Sequence, residues 1–230
     1  MMVGSKMEYW LSTEYHSESI TLWDWIHSYG ALKEDIARSV MSNVLHGLQY
    51  LHNKDIVHLD IKPANILLLH MKTDSDAQEV NQSDIDKALI IDFDSAAINK
   101  GKLKMMGSTW NHAAPEVIQK KPEYDGKTAD IFSVGTSLFE ASSAVGFFSW
   151  VPFDKNASKA IQIDMRRKHK NNTIDFERIK NRYTLDISDG CLGVVKDCIN
   201  KDPKKRPKVE QLLGHPWFTS QSYGAKSAGP

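Results

Sequence analysis

The stretch that decides the fold is His58-Leu59-Asp60-Ile61-Lys62-Pro63-Ala64-Asn65, because it places three chemically different polar side chains within eight residues. Asp60 can accept a hydroxyl proton, Lys62 can contact a phosphate, and Asn65 can bind a metal ion. The carboxylate and the amide stand five positions apart, in the pattern D-x-x-x-x-N. These groups suit a site that handles phosphate and metal together.

Apolar residues flank this stretch, with Ile56-Val57 before it and Ile66-Leu67-Leu68-Leu69 after it. Both runs predict short buried strands, so the polar loop would be held at both ends. A helix is predicted over residues 32–53, because apolar residues recur there every three or four positions. The residues of this stripe are Ile36, Val40, Val44, Leu48 and Leu51.

The other elements are predicted from the same periodicities and from turn residues. We expect strands over residues 8–15 and 88–91, a polar turn over 16–19, and helices over 22–28, 128–142, 157–170, 189–200 and 207–213. The sequence therefore predicts a mainly α fold with a small β component.

Residues 71–87 are polar, acidic and without periodicity, which predicts an exposed loop inserted between two strands. Four aspartates in this loop suggest a cation site, but the glycine and terminal Glu of a calcium loop are absent. A solvated acidic loop is the preferred interpretation. The four residues are Asp74, Asp76, Asp84 and Asp86.

Composition excludes several classes of protein. The 230 residues include 29 basic and 29 acidic ones, so the totals show no excess of charge for nucleic acid or a membrane surface. No apolar run approaches the roughly 20 residues that a membrane-spanning helix needs. Cys191 and Cys198 lie seven apart on a predicted helix, roughly 10 Å from each other and too far for a disulfide. We expect two reduced core thiols in an intracellular protein.

Two further motifs follow in the chain. Asp92-Phe93-Asp94 comes directly after a predicted buried strand, and Ala114-Pro115-Glu116 precedes the largest apolar helix. With the loop at 58–65, and with His-Pro-Trp-Phe at 215–218, they resemble the motifs of the eukaryotic protein kinases in family order. Lys62-Pro63 indicates the serine/threonine type, and the sequence looks most similar to the calmodulin-dependent group, near Pim and PAS-domain kinases.

The resemblance implies an α+β fold: a kinase-like C-terminal helical lobe with the hinge strand and short β-hairpins around the catalytic loop. It implies ATP- and Mg²⁺-dependent phosphoryl transfer to Ser or Thr hydroxyls of a protein substrate. By position, the implied catalytic residues are Asp60, Lys62 and Asn65, with Asn65 and Asp92 as metal ligands. The other implied residues are Glu14, His16, Leu67 and Asp92 around the nucleotide, and Thr109, Glu116, Asp130 and Arg206 in the activation segment and its scaffold.

The sequence departs from the kinase pattern at several places. It contains no G-x-G-x-x-G loop and no strand lysine in a V-A-I-K-like context. Residues 1–19 would be the remnant of the N-terminal lobe, 20–218 the helical lobe, and 219–230 a flexible tail. Two readings follow: a truncated form of a working kinase, or a catalytically inactive pseudokinase-like interaction module. Leu59 replaces the catalytic-loop Arg, and Asp94 replaces the glycine of the metal motif.

The resemblance also sets expectations for partners and the histidines. We expect a regulatory protein partner besides the substrate, no binding to nucleic acid or membranes, and a cytoplasmic location with the nucleus as the alternative. His58 is expected to pack under Phe93 and not to act as a base. His52 and His112 belong to no constellation and are predicted to be surface or packing residues.

Overall fold

The computed structural model describes residues 14–17, 19–70, 81–99, 103, 112–118, 123–146 and 175–220. Helices dominate this part of the chain, as predicted. In chain order they are α1 Leu22–Tyr29, α2 Glu34–Asn53, α3 Pro115–Ile118, α4 Gly126–Ser143, α5 Phe176–Tyr183, α6 Asp189–Cys198, α7 Val209–Leu213 and α8 Pro216–Thr219.

Five short strands form two antiparallel sheets among the described residues. They are β1 Ser19–Thr21, β2 Ile56–Val57, β3 Ile66–His70, β4 Ile85–Ile90 and β5 Ala97–Ile98. The larger sheet has the order β1-β3-β4, and β2 pairs with β5 in the smaller one. β2 and β3 confirm the two strands predicted on either side of the polar loop. That loop therefore leaves one sheet and enters the other.

The helix α4 forms the centre of the hydrophobic core. Asp125 caps its N-terminus by accepting a hydrogen bond from the Lys127 amide at 3.0 Å. Nearly every residue of α4 is buried, as expected for a helix surrounded by other elements. Gly135 lets α6 approach closely, since a Cβ placed there would lie 2.6 Å from the Cβ of Cys198. The predicted helix over 128–142 is confirmed and extends slightly at both ends.

The helix α2 supports the polar loop from one side. Three members of its predicted stripe, Val40, Val44 and Leu48, are buried, while Ile36 and Leu51 are half-buried at its edge. Met41 and Leu45 widen the buried face. Because this face packs on β4 and α4, the C-terminal end of α2 reaches the segment that opens the loop.

Several boundaries predicted from the sequence are wrong. Glu14 and Tyr15 belong to no strand, and the helices predicted over 189–200 and 207–213 are shorter, at Asp189–Cys198 and Val209–Leu213. The insertion does not extend to residue 87, because Gln82–Asp84 forms a 3-10 turn and β4 begins at Ile85. Gln82 anchors this turn: its Oε1 accepts from the Lys33 amide at 2.7 Å, and its Nε2 donates to the Ala31 carbonyl at 3.2 Å. The polar turn over 16–19 ends early as well, because Ser19 belongs to β1.

Asp84, one of the four aspartates considered for a cation site, has a structural role. Its carboxylate accepts a hydrogen bond from the Asn81 amide at 2.9 Å and closes the 3-10 turn. Asp74 and Asp76 lie outside the described residues, as do residues 8–13 of the predicted first strand and the predicted helix over 157–170. The helix α5 was not predicted.

Cys191 and Cys198 are free and buried on α6, which confirms the prediction of core thiols. Burial raises the pKa of the Cys191 thiol to about 12 and also raises the pKa of Cys198. Both thiols are therefore poor nucleophiles. Within the described ranges, no helix combines the length and the apolar character needed to cross a membrane.

Candidate active site

The structure brings together the side chains of Asp60, Lys62 and Asn65. Lys62 Nζ lies 2.6 Å from Asp60 Oδ2, and Asn65 Nδ2 donates to the same oxygen at 3.1 Å. Asn65 Nδ2 also donates to the Asp60 carbonyl at 2.9 Å. The 3-10 turn Pro63–Asn65 causes this convergence, because it folds Asn65 back toward Asp60. One carboxylate, one cation and one amide thus share a site a few ångströms across.

Asp130 holds the backbone of this loop from below. Its carboxylate is 0% exposed and accepts from the amides of His58 at 3.0 Å and Leu59 at 2.7 Å. Leu59 has φ 64°, a left-handed conformation that costs a branched residue about 1–3 kcal/mol. The hydrogen bonds to Asp130 offset this strain, so the start of α4 determines how the catalytic loop is shaped.

His52 is a site residue that sequence reasoning missed. Its Nε2 lies 2.9 Å from Asp130 Oδ2, and both side chains are buried. His52 was predicted to be a surface or packing residue with no constellation. The missed signal is its position on α2: it lies four residues after Leu48 and continues the four-residue spacing of the buried Val40, Val44 and Leu48.

His58 is completely buried below the metal motif. Its Nε2 donates to the Ile91 carbonyl at 3.1 Å, and its Nδ1 accepts from the Asp60 amide at 3.3 Å. The ring packs edge-on against Phe93, with centroids 5.0 Å apart. Both ring nitrogens serve the backbone, so His58 connects the catalytic loop to the metal motif and has no nitrogen left to act as a base.

We expect stability to fall as the pH decreases, in part because of His58. Burial lowers the pKa of His58 from its ordinary 6.5, against the opposing effect of Asp130. Below about pH 6.5, therefore, the unfolded chain binds a proton that the folded chain does not, and unfolding becomes easier. Urea unfolding at pH 7.5 and pH 5.5 should show a smaller loss of stability in His58→Phe than in the wild type. Equal losses in the two proteins would contradict this assignment.

Asp92 lies next to Asn65, since the Ile91 amide donates to the Asn65 carbonyl at 3.0 Å. Its side chain is exposed, and its Oδ1 accepts from the Asp94 amide at 3.3 Å. The left-handed backbone of this motif falls on Asp92, with φ 64°, and not on Asp94. Asp94 therefore occupies the family's glycine position without left-handed strain.

Asn65 and Asp92 fit a magnesium ion. Because Asn65 donates through Nδ2, its side-chain oxygen Oδ1 is the atom left to face a cation. The Asp92 carboxylate lies nearby and is exposed. The described residues contain no group of three or more His, Cys, Asp or Glu that could bind a metal by itself. Mg²⁺ is usually bound by one or two carboxylates together with substrate phosphates, so a sparse set of oxygen ligands is the expected arrangement.

Leu67, Glu14 and His16, which the resemblance implies around the nucleotide, show fewer contacts with the site than the residues of the loop do. Leu67 is half-buried in β3, paired with Thr21 of β1 and Leu89 of β4. Glu14 is exposed and His16 half-buried, and neither contacts the catalytic loop through a hydrogen bond or ion pair within the described ranges. Thr109 lies outside the described residues.

Glu116 and Arg206 form a buried bidentate ion pair. Nη1 and Nη2 of Arg206 lie 2.7 and 2.9 Å from the two carboxylate oxygens, and the residues are 5% and 3% exposed for Arg206 and Glu116 respectively. Arg206 also donates to the carbonyls of Thr128 and Asn200. The pair therefore ties α3 to the start of α4 and to the turn before α7.

Comparison with known sequences shows which family of proteins this chain is similar to. Residues 1–218 match the family described as the protein kinase domain. The chain is 30% identical to calcium-dependent protein kinase 5 of Plasmodium falciparum, over 86% of this chain and 30% of that protein. It is 30% identical to the calcium/calmodulin-dependent protein kinase cmkA of Emericella nidulans, over 87% of this chain and 43% of that protein.

A third relative is the serine/threonine-protein kinase pim-2 of Danio rerio, 27% identical over 94% of this chain and 58% of that protein. The chain thus spans less than two thirds of the length of each of these relatives. The match to the domain covers nearly the whole chain and agrees with the helical fold and the order of the motifs. The chain therefore belongs to the protein kinase family and is of its serine/threonine type.

Proposed function

We propose that this chain is the catalytic part of an ATP- and Mg²⁺-dependent kinase that phosphorylates Ser or Thr hydroxyls of a protein substrate. The observation that carries the proposal is the contact of Asp60 with both Lys62 and Asn65, at 2.6 and 3.1 Å. Protein kinases as a family use ATP and Mg²⁺ and act on proteins. The residues of this loop have the chemistry and spacing that such a reaction needs.

Asp60 is the group that accepts the proton of the substrate hydroxyl. Its Oδ2 contacts Lys62 and Asn65, and these two contacts fix the orientation of the carboxylate. A positioned base contributes typically 10²–10⁴-fold to such a reaction. Asp130 supports this geometry because it holds the backbone at His58 and Leu59.

Lys62 is the cation that would stabilise the transferred phosphoryl group, and Asn65 and Asp92 are the oxygen donors for the metal. When bound, Mg²⁺-ATP supplies the phosphoryl group together with the positive charge that balances its phosphates. Lys62 already contacts Asp60, so the positive charge and the base lie side by side. Asp60 and Lys62 are thereby oriented before any substrate binds.

Activation-segment phosphorylation is not expected to control this loop in the usual way. Leu59 stands where many kinases place an Arg, and it is buried. No guanidinium is therefore available at this position to bind a phosphorylated residue. The alternative of a pseudokinase-like interaction module is not favoured by the family match or by the kinases it resembles.

Calorimetric titration of ATP tests the metal assignment. We expect ATP to bind more tightly with Mg²⁺ than with EDTA, and we expect Asp92→Asn to remove most of this difference. Asp94→Asn is the matched control, because Asp94 is an exposed carboxylate in the same motif that is not assigned to the metal. Equal ATP affinity with and without Mg²⁺, or a larger effect of Asp94→Asn, would contradict the assignment.

A further inference from the structure

The tryptophan of the His-Pro-Trp-Phe motif at 215–218 forms a contact that the phosphoryl-transfer site does not use. Trp217, on α8, is 5% exposed, and its Nε1 donates to Oε1 of Glu34 at 2.6 Å. Glu34 is the first residue of α2 and lies at the opposite end of that helix from His52, roughly 27 Å along the axis. The contact therefore ties α8 to the part of α2 that is remote from the catalytic loop.

The Glu34 carboxylate also binds the start of α6. The Ser188 hydroxyl donates to Oε1 at 2.7 Å, and the Ser188 amide donates to Oε2 at 3.1 Å. The same hydroxyl caps α6 by accepting from the Cys191 amide at 3.1 Å, which leaves its hydrogen for Glu34. Arg38, one turn further along α2, lies 3.5 Å from Oε1. One carboxylate therefore joins the starts of α2 and α6 to α8.

The partners of Glu34 require an acceptor at both of its carboxylate oxygens. An indole N–H and a backbone N–H can only donate, and an ionised carboxylate can only accept. Hydrogen bonds to such a charged acceptor are roughly twice as strong as neutral ones. Although burial raises the pKa of Glu34, the hydrogen bonds from Ser188 and Trp217 hold the pKa below its ordinary value of 4.5. A glutamine at this position would present its amide nitrogen to a donor whichever way the amide is turned.

The indole of Trp217 fills the space between α2 and α6. On the side of α2, the Arg38 guanidinium lies 5.0 Å from the ring centroid. On the side of α6, a Cβ placed on Gly190 would lie 3.1 Å from Cδ1 of Trp217, closer than the ordinary separation of two carbon atoms. The glycine in the first turn of α6 therefore leaves room for the ring.

The helix α8 depends on this tryptophan. It has four residues, Pro216–Thr219, of which Trp217 is buried and Phe218 is half-buried. A single helical turn is not stable in water, because helix formation begins with an unfavourable nucleus. Segments with few buried apolar contacts open at a lower free energy than the core beside them. Loss of the contact with Glu34 should therefore release α8 while α4, which is buried along nearly its whole length, stays folded.

We propose that α8 is a C-terminal strap, which is closed by the hydrogen bond from Trp217 to Glu34 and opens while the core around α4 stays folded. Glu34 anchors the strap, and opening uncovers the space beside Gly190 that the indole fills. These residues belong to neither the proposed catalytic set nor the proposed metal set. The inference therefore does not rest on the proposed function.

Amide hydrogen exchange of the wild-type protein, measured by NMR, tests whether α8 opens by itself. The amides of residues 218–220 are hydrogen-bonded within α8 and its caps, so they report on its closure. We expect them to exchange faster than the amides of α4 and to respond little to low urea, because a local opening exposes little surface. The same rate and the same urea dependence in both helices would overturn the proposal.

The variant Glu34→Gln tests the anchor. We expect it to speed exchange in residues 218–220 by about ten- to hundredfold, the usual effect of losing a hydrogen bond to a charged group. Asp35→Asn is the matched control, because Asp35 is an exposed carboxylate in the same turn of α2, and it should change this rate little. Equal effects of the two substitutions would overturn the role of Glu34.

The variant Trp217→Phe tests the hydrogen bond itself, since it keeps an aromatic ring but removes the N–H donor. Glu34→Gln should speed exchange much less in the Trp217→Phe protein than in the wild type, because the bond is already lost there. Independent effects of the two substitutions would overturn the proposed bond. If a variant fails to fold, the wild-type comparison of α8 with α4 still supports or overturns the strap.

Discussion

Replacing Asp60 by Asn is expected to lower the rate of phosphoryl transfer by about 10²–10⁴-fold, the usual contribution of a positioned general base. Asn has nearly the same shape but cannot accept the substrate proton. It also removes the charge that Lys62 contacts at 2.6 Å, so the lysine loses this ion pair. Because Asp60 is not part of the proposed metal set, the affinity for ATP should change little.

Steady-state kinetics of wild type and Asp60→Asn at saturating ATP provide the measurement. Asp189→Asn is the matched control, since its side chain is 97% exposed and lies on α6, away from the loop. Thermal unfolding of each variant shows whether a lost rate reflects lost structure. An Asp60→Asn protein that folds normally and retains the wild-type kcat would contradict the role of Asp60.

Arg206→Ala should lower the free energy of unfolding by about 3–5 kcal/mol, the typical result of removing one member of a buried ion pair. The substitution leaves the Glu116 carboxylate buried without its bidentate partner. It also removes the donors to the carbonyls of Thr128 and Asn200, which no longer have a side chain to satisfy them. Packing of the guanidinium 5.1 Å above the Phe132 ring is lost as well.

Urea unfolding measures this change, and Lys127→Ala is the matched control. Lys127 Nζ lies 2.7 Å from Asp55 Oδ1, but these side chains are 34% and 66% exposed. Exposed pairs contribute only about 0–1 kcal/mol, so the control should lose little stability. If Arg206→Ala costs no more than Lys127→Ala, the Glu116–Arg206 pair does not hold the scaffold as described.

The convergence of polar side chains in the loop at 58–65, and the strands beside it, could be predicted from the sequence because both depend on local residues. Asp60, Lys62 and Asn65 lie within six positions of one another, and the apolar runs beside them indicate strands by periodicity alone. The helix α2 was predicted for the same reason. His52 could have been included, since it continues the helical spacing of Val40, Val44 and Leu48.

Contacts between distant parts of the chain could not be predicted in this way. Glu34, at the start of α2, accepts hydrogen bonds from Ser188 at 2.7 Å and from Trp217 at 2.6 Å, 154 and 183 residues away. Burial opposes ionisation of Glu34, but these hydrogen bonds outweigh it and hold its pKa below the ordinary value. Local periodicity carries no information about such partners, because they meet only after the helices pack.

The same reason explains the wrong start of β4 and the missed contacts of the buried His112, whose ring nitrogens lie 3.1 Å from Thr136 Oγ1 and 3.7 Å from Glu140 Oε2. The 3-10 turn before β4 is anchored by Gln82 on the connection between α1 and α2, about 50 residues earlier in the chain. A polar acidic run predicts a loop, and the tertiary contact of Gln82 together with the local Asn81–Asp84 hydrogen bond orders its end. His112 likewise gains its surroundings from α4, which no local pattern around residue 112 indicates.

The proposed activity of this chain is phosphoryl transfer to protein hydroxyls. The most direct test is to incubate the protein, in its longest natural form, with γ-labelled ATP and a mixed protein substrate, and to identify the labelled amino acids. We expect label on Ser and Thr that requires Mg²⁺ and disappears with EDTA. Folded protein that transfers no label, or that labels Tyr alone, would contradict it.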